Sequence, residues 1–432
     1  MNRADRRLNI HYGIILGAYW TIFAVSSIFT VALLRTRGFD DGQIGILLAL
    51  RSISAIVVSP LAASFLDRHP LFPIKNVLVC MLAVNVVNTL VFHYMELGYA
   101  ATAATFVVLG ATTNTMPSLH SSIAVKFQEG GRDLIYSIGR GAGSVCYALG
   151  SLALSTFVGE SGYGLSLTLQ LLLDVFSLIV IIFFPVCPGE RTGGLKEDAS
   201  LEEVPPRIGG EAEMEAGPKA GGPAAGKVHS TWELITGSPR FALFLLASIL
   251  IFVGYNMCNS FMIDIIVSRG GDNQDLGISC FILGMAELPT ALFFPKLHKK
   301  FGTKFLLNVS SVFALLKMIC LYLSPNVICI FFSQLIQMLG NGMYWHVSVC
   351  HVHETVSLQD QVKGQSLTTM ASVNIGAILG SSVSGKLLCR FDIDDVIIFG
   401  CICTFMGVVC MAAATLGQRT GSRAQRAFSR YR

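Results

Sequence analysis

The stretch GGEAEMEAGPKAGGPAAGK, residues 209–227, decides how the chain is divided. Glycine, alanine, proline, glutamate and lysine dominate it, and such a composition cannot bury enough apolar surface to offset the entropy of ordering. The segment 188–236 around it therefore reads as a flexible linker. On either side the sequence changes character. Hydrophobic residues make up 53% of the 432 and charged residues only 13%, against about 25% charged in a soluble domain. A membrane span needs roughly 20 apolar residues. That ruler finds six spans before the linker, at 10–34, 43–66, 74–94, 98–122, 133–158 and 164–184. It finds six after it, at 240–267, 274–295, 303–323, 326–350, 363–388 and 393–416. The expectation is an all-α polytopic membrane protein of twelve transmembrane helices. They form two six-helix halves, 1–187 and 237–418, followed by a basic tail at 419–432.

Lysine and arginine set the expected orientation. With the N-terminus inside, the cytoplasmic segments collect Arg3, Arg6, Arg7, Arg68, Lys75, Lys126, Arg132, the linker's cations, the 296–304 cluster, Lys363 and the arginines of the tail. The opposite loops carry Arg35, Arg37, Arg269 and Arg390. Both termini and the linker are thus expected in the cytoplasm, with the chain in the inner or plasma membrane and no cleavable leader. The twelve cysteines lie mostly in apolar segments, with no CxxC pair and no zinc spacing. Neither a disulfide framework nor a metal site is expected. Gly139, Gly141 and Gly143 lie inside an apolar span with no strand before them, so they read as sites of close helix approach, not as a phosphate loop.

Charges stranded in these spans carry the functional signal. Arg51, Arg140, Glu287 and Lys317 are each flanked by long apolar runs. A charge at bilayer depth is costly and normally faces a bundle interior or a watery cavity. A solute pathway is the default reading, with rival readings beside it. Arg140 and Asp174, or Glu287 and Lys317, would be static ion pairs. Arg51, a candidate cavity charge, would instead snorkel to the interface. Asn256 and Asn259, three apart on one helix face, would line the pathway or serve as interhelical glue. Tyr147, Tyr255, His120, Gln334 and Gln337 would touch solute or merely pack. His346, His351 and His353, at the inner end of span 10, read as structural.

With these residues in view the chain resembles the major facilitator superfamily, and within it the lactose permease branch of sugar, nucleoside and phenylpropionate symporters. The superfamily loop motif Gly-x-x-x-Asp-Arg is echoed by Ala63-Ser64-Phe65-Leu66-Asp67-Arg68, with alanine for glycine. By resemblance, Asp67 and Arg68 gate the inner side. Span 5 places Arg140 seven residues before Tyr147, as the permease places an arginine and an aromatic that hold its sugar. Glu287, in GMAELPTALFF at 284–294, falls where the permease has its proton-coupling glutamate, and Lys317 replaces the arginine that tunes it. Elsewhere the sequence departs. Asn256 and Asn259 stand for two aspartates, Gln337 for a histidine and His120 for a sugar-binding glutamate.

The resemblance and the intramembrane charges together imply a secondary transporter. It would move a small polar organic solute, such as a sugar, glycoside or nucleoside, by alternating access with proton symport. Arg140, Tyr147, His120, Asn256, Asn259, Gln337 and Tyr255 would bind the solute, and Glu287 and Lys317 would couple the proton. The expected partners are solute, protons and the lipid bilayer, with no nucleic acid, for a monomer without cofactor or metal. The three amides also leave room for an uncoupled facilitator or an exporter. A solute receptor that does not turn over ranks lower, and no nucleophile–base pair or cofactor loop supports an enzyme.

Overall fold

The computed structural model describes residues 3–69, 72–187, 231–357 and 360–416. Most of the expected linker, at 188–230, and the basic tail, at 419–432, lie outside the described residues. Every regular element among the described residues is a helix. Eleven of these helices are long and apolar enough to cross a membrane. In chain order the spans are Arg3–Ile28, Asp41–Arg68, Ile74–Tyr94, a broken fourth, Tyr136–Ser161 and Gly164–Ile182 in the first half. In the second half they are Pro239–Ser260, Asn273–Phe301, Thr303–Tyr322, Val327–Thr355, a segmented eleventh beginning at Gln361 and ending at Leu388, and Ile393–Thr415. The linker's last residues form the helix Thr231–Gly237, because Leu234 and Ile235 pack onto the second half's core.

Span 4 is two helices, Tyr99–Thr113 and Met116–Glu129, with 15 and 14 residues. Pro117 sits in the first turn of the second piece, where its missing N–H costs nothing but a continuous helix would lose a bond. Just before the break, Thr112 and Thr113 bond back to the Val108 and Leu109 carbonyls, a pattern that bends helices. Joined end to end, the pieces complete the set of twelve.

Glycine decides where helices meet. A Cβ at Gly143 of span 5 would lie 2.3 Å from Trp20 of span 1, and one at Gly139 would lie 2.8 Å from Tyr12 and Leu16. The two halves meet along two such seams. Span 2 meets span 11 where a Cβ on Gly45 would come 2.4 Å from the Ser381 carbonyl and one on Gly385 2.3 Å from that of Asp41. Span 5 meets span 8 where one on Gly277 would come 2.0 Å from Ser155 Oγ.

Apolar packing shows which end of the bundle is shut. At the end away from the termini one cluster draws on both halves, with Val25, Phe29, Leu154 and Val158 against Phe261, Ile265, Leu276 and Met318. At the terminal end the clusters separate by half, one around Tyr12, Ile123 and Phe184, another around Phe244, Leu307 and Val347. A polar latch lies over the shared cluster. Arg35 of the first half makes a two-pronged pair with Asp264 of the second, with Nη2 3.0 Å from Oδ2. Arg35 Nε also donates to Asp41 at 2.8 Å. Burial alone would weaken the base; the bonds and charges of Asp264 and Asp41 outweigh it and raise its pKa above the ordinary arginine value. Tyr163 and Asn273 add a second bridge between the halves at 3.1 Å.

Arg35→Gln removes the latch and leaves the apolar seal. A partly exposed pair contributes up to about 1 kcal/mol, or roughly a fivefold change in equilibrium. Maleimide labelling of Cys280, which packs against the seal, is expected to rise by up to that factor from the latch side. Unchanged labelling would show that the apolar cluster alone sets the closed state.

Candidate functional site

Arg140 lies on span 5, half-buried, and its Nη1 donates to Ser144 Oγ one turn on at 2.8 Å. Its guanidinium sits 4.0 Å above the Trp20 ring of span 1, a cation–π contact that the glycine at 143 makes room for. Asp174 is not its partner. That carboxylate is buried in a separate cluster, taking Asn85 Nδ2 at 2.9 Å and Thr89 Oγ1 at 3.2 Å. Two turns beyond Arg140, Tyr147 crosses toward the second half, where its ring would touch a Cβ on Gly284 at 3.0 Å. Gly284 is one turn before Glu287, so Tyr147 and Glu287 share one wall.

Arg51 does not snorkel. It is 6% exposed and points inward, with Nη1 on the Ser26 carbonyl at 2.9 Å and Nη2 on Ser26 Oγ at 3.1 Å. Its guanidinium lies 5.5 Å from the Phe23 ring, and Phe23 lies 6.5 Å from Tyr147. Phe23 thus bridges Arg51 to the Tyr147 wall. His120 is buried behind that wall, edge-on to Tyr19 at 5.3 Å, with no described partner for Nδ1.

In the second half the hub is Lys317. It is 2% exposed and donates to Gln337 Oε1 at 2.7 Å, with its ammonium 5.1 Å from the Tyr255 ring. The expected alternative of a Glu287–Lys317 ion pair is not what forms. Among the described residues Glu287 has no cation within 4.0 Å. It nevertheless stands in the field of two, Arg140 from the first half and Lys317 from the second. Span 8 is kinkable beside it, since Pro289 leaves a carbonyl one turn back without its helix donor.

Directly after Gln337, span 10 makes a π-helical turn over Met338–Gly342, with Gly340 at φ −81 and ψ −111. Thr290 of span 8 caps the displaced Met338 carbonyl at 2.7 Å, so the bulge is fastened one turn from Glu287. The buried Asn341 Nδ2 and Gln334 Oε1 have no described partner. Asn256 and Asn259 divide. Asn256 bonds its own helix at the Phe252 carbonyl and packs on Gly380 of span 11, whereas Asn259 is exposed. Arg68 is exposed at the terminal end of span 2, and the side chain of Asp67 lies outside the description.

Trp20, Phe23 and His346 were not among the expected solute contacts. No sequence signal marks the first two, since aromatics are ordinary in spans. His346 is half-buried and stacked on Phe294 at 5.2 Å. A regular helix would put it roughly 180° from Gln337, and the extra residue of the bulge moves it to about 80°. Among the described residues no cluster of His, Cys, Asp and Glu could hold a metal. A cavity of about 30 Å³ near Ser26, Thr89 and Gln170 has room for a water or two and no more.

A twelve-helix bundle in two halves, with buried charge inside each, is the architecture of a major facilitator superfamily transporter. The chain belongs to the MFS_1 like family, whose model matches residues 11–399. No curated protein matches. Among solved structures the chain is similar to the nucleoside transporter NupG at 15% identity, with TM-scores of 0.76 and 0.75 for a substituted and an unsubstituted form. The first match covers 94% of this chain and 99% of that one, the second 95% and 100%. It is also similar to a bacterial homologue of the human lysosomal transporter Spinster, in an inward-facing and unoccupied conformation. There the TM-score is 0.62 at 12% identity, covering 96% of both chains. At such identities the likeness is one of fold.

Gln337→Leu strips Lys317 of its acceptor and leaves a buried ammonium unbonded. The expected cost is about 1–3 kcal/mol, read as a lower Tm in detergent. The double variant Lys317→Met with Gln337→Leu should recover most of it. A single variant as stable as the parent would mean that another group satisfies Lys317.

Proposed function

We propose that the protein moves a small polar organic solute by alternating access, with proton symport. Sugars, glycosides and nucleosides are the starting classes, and the similarity to a nucleoside transporter supports testing nucleosides early. The observation that carries the reading is Glu287, a carboxylate without an ion-pair partner among the described residues, set in the field of one cation from each half. Such a group changes its interactions whenever the halves move, which a coupling residue must do. Arg140 and Tyr147 hold the solute from the first half, and Gln337 and Tyr255 from the second. His120 supports the Tyr147 wall from behind, Asn256 supports span 7 against span 11, and Asn259 is a secondary contact in this scheme. A proton on Glu287 lets the loaded carrier reorient, and Lys317 sets how tightly that proton is held.

In this reading the latched end faces outward, both termini face the cytoplasm, and the chain works as a monomer in the inner or plasma membrane. The halves are 1–187 and 237–418, joined through 188–236, and Asp67 and Arg68 act at the inner gate. One observation favours an uncoupled facilitator instead. Lys317 is bonded to a neutral amide, Gln337, and would remain so whether or not Glu287 carries a proton.

External pH in lightly buffered, energy-depleted cells separates the two. Symport predicts alkalinisation when a substrate among sugars, nucleosides and aromatic acids is added, and loss of that signal in Glu287→Gln with labelled exchange retained. Entry of labelled solute with no pH change would assign the facilitator.

A further inference from the structure

The first half encloses a second polar centre, where spans 3, 4 and 6 meet. Asp174 of span 6 is fully buried, with Gln170 one turn before it and Ser177 one turn after it on the same face, both also buried. Asn85 and Thr89 of span 3 donate to its Oδ2 at 2.9 and 3.2 Å, and Thr112 of span 4 donates to Asn85 Oδ1 at 3.2 Å. Among the described residues no cation lies within 4.0 Å of this carboxylate. An isolated carboxylate in a low-dielectric interior is costly, so something must neutralise it.

The atoms left over indicate what does so. Both amide nitrogens of the cluster are engaged, Asn85 Nδ2 on Asp174 and Gln170 Nε2 on Thr89 Oγ1 at 3.3 Å. The unspent atoms are oxygens. Asp174 Oδ1 and Ser177 Oγ have no described partner, although they stand one turn apart on one helix face. A proton on Asp174 would cancel the charge, but its O–H would have nothing described to donate to. A divalent ion would leave net positive charge beside a single carboxylate. A small monovalent cation answers both deficits, because carboxylate, hydroxyl and amide oxygens are the ligands that a hard cation takes.

We propose that Asp174, Ser177 and Gln170 form a sodium site inside the first half, separate from the Glu287 centre and independent of the solute and coupling scheme above. Asp174 Oδ1 and Ser177 Oγ bind the ion directly, and Gln170 supplies an amide oxygen. Because one carboxylate balances the charge, the site needs no cluster of His, Cys and acidic residues. The cavity of about 30 Å³ adjoins it, since Thr89 and Gln170 line both, and water there completes the ion's shell. Thr30 and Ser166, which also line that cavity, lie near the latch end of spans 1 and 6 and place the ion's entry on that side. Once bound, the ion fastens span 6 to the hydrogen-bonded face of span 3.

The test is equilibrium binding of radioactive sodium to the purified full-length protein, with choline holding the ionic strength constant. Saturable binding of one ion per chain is expected, lost in Asp174→Asn and retained in Glu287→Gln. Ser177→Ala should weaken the affinity by about ten- to a hundredfold, the range for losing one bond to a charged group. That shift stands as the measure should Asp174→Asn not fold. Absence of saturable binding would overturn the inference, as would binding that survives Asp174→Asn or an affinity unchanged in Ser177→Ala. Loss of binding in Glu287→Gln would also overturn it, by placing the ion at the central carboxylate.

Discussion

The structure depends on a carboxylate that has no ion-pair partner of its own among the described residues. Glu287 stands in the fields of Arg140 from one half and Lys317 from the other, and each cation is satisfied elsewhere, by Ser144 and Trp20 or by Gln337 and Tyr255. Had Glu287 formed a tight buried pair with either cation, breaking it would cost several kcal/mol, and that half would hold the carboxylate through every state. Sharing without contact keeps the site responsive. Aromatic rings and amides, which satisfy a cation without neutralising it, make the sharing tolerable inside a membrane.

The surroundings serve the same end. Two glycine seams let the halves approach closely, backbone to backbone where Gly45 meets Gly385 and backbone to a small side chain where Gly277 meets Ser155, so that large side chains do not interlock. Helices packed this way can roll. The apolar cluster and the Arg35–Asp264 latch then close one end, while at the other each half keeps its own core. The energy of closure is thus concentrated away from the site, which leaves the charged centre free of any duty in holding the bundle together.

Much of this was legible in the sequence, for identifiable reasons. Twelve spans follow from hydropathy because lipid admits little else, and Glu287 and Arg140 announce themselves because charge in an apolar run is expensive. Packing geometry was not legible. Arg51 was marked as a charge, but whether it turned inward depended on Ser26 and Phe23, twenty-five and twenty-eight residues earlier. His346 was read as structural from its place at the inner end of span 10, and the π-helical turn after Gln337, which shifts the helical phase there, leaves no trace in hydropathy. The division of Asn256 from Asn259 was likewise hidden, since a shared face does not say which neighbour fills it; here Gly380 meets the first.

The break in span 4 has a consequence for how the protein is made. Pieces of 15 and 14 residues are each shorter than the roughly 20 that a lone helix needs to cross lipid. Neither crosses the bilayer alone, and the Thr113 carbonyl, which Pro117 leaves without its helix donor, would meet hydrocarbon there without the Tyr19 hydroxyl of span 1. Span 4 therefore leaves the insertion machinery in company. Span 2 is the ready companion, since Gly110 packs directly on the Arg51 carbonyl and Ser59 bonds Thr115 at 3.0 Å. The first half is in this sense a unit of biogenesis as well as of architecture, assembled around its broken span.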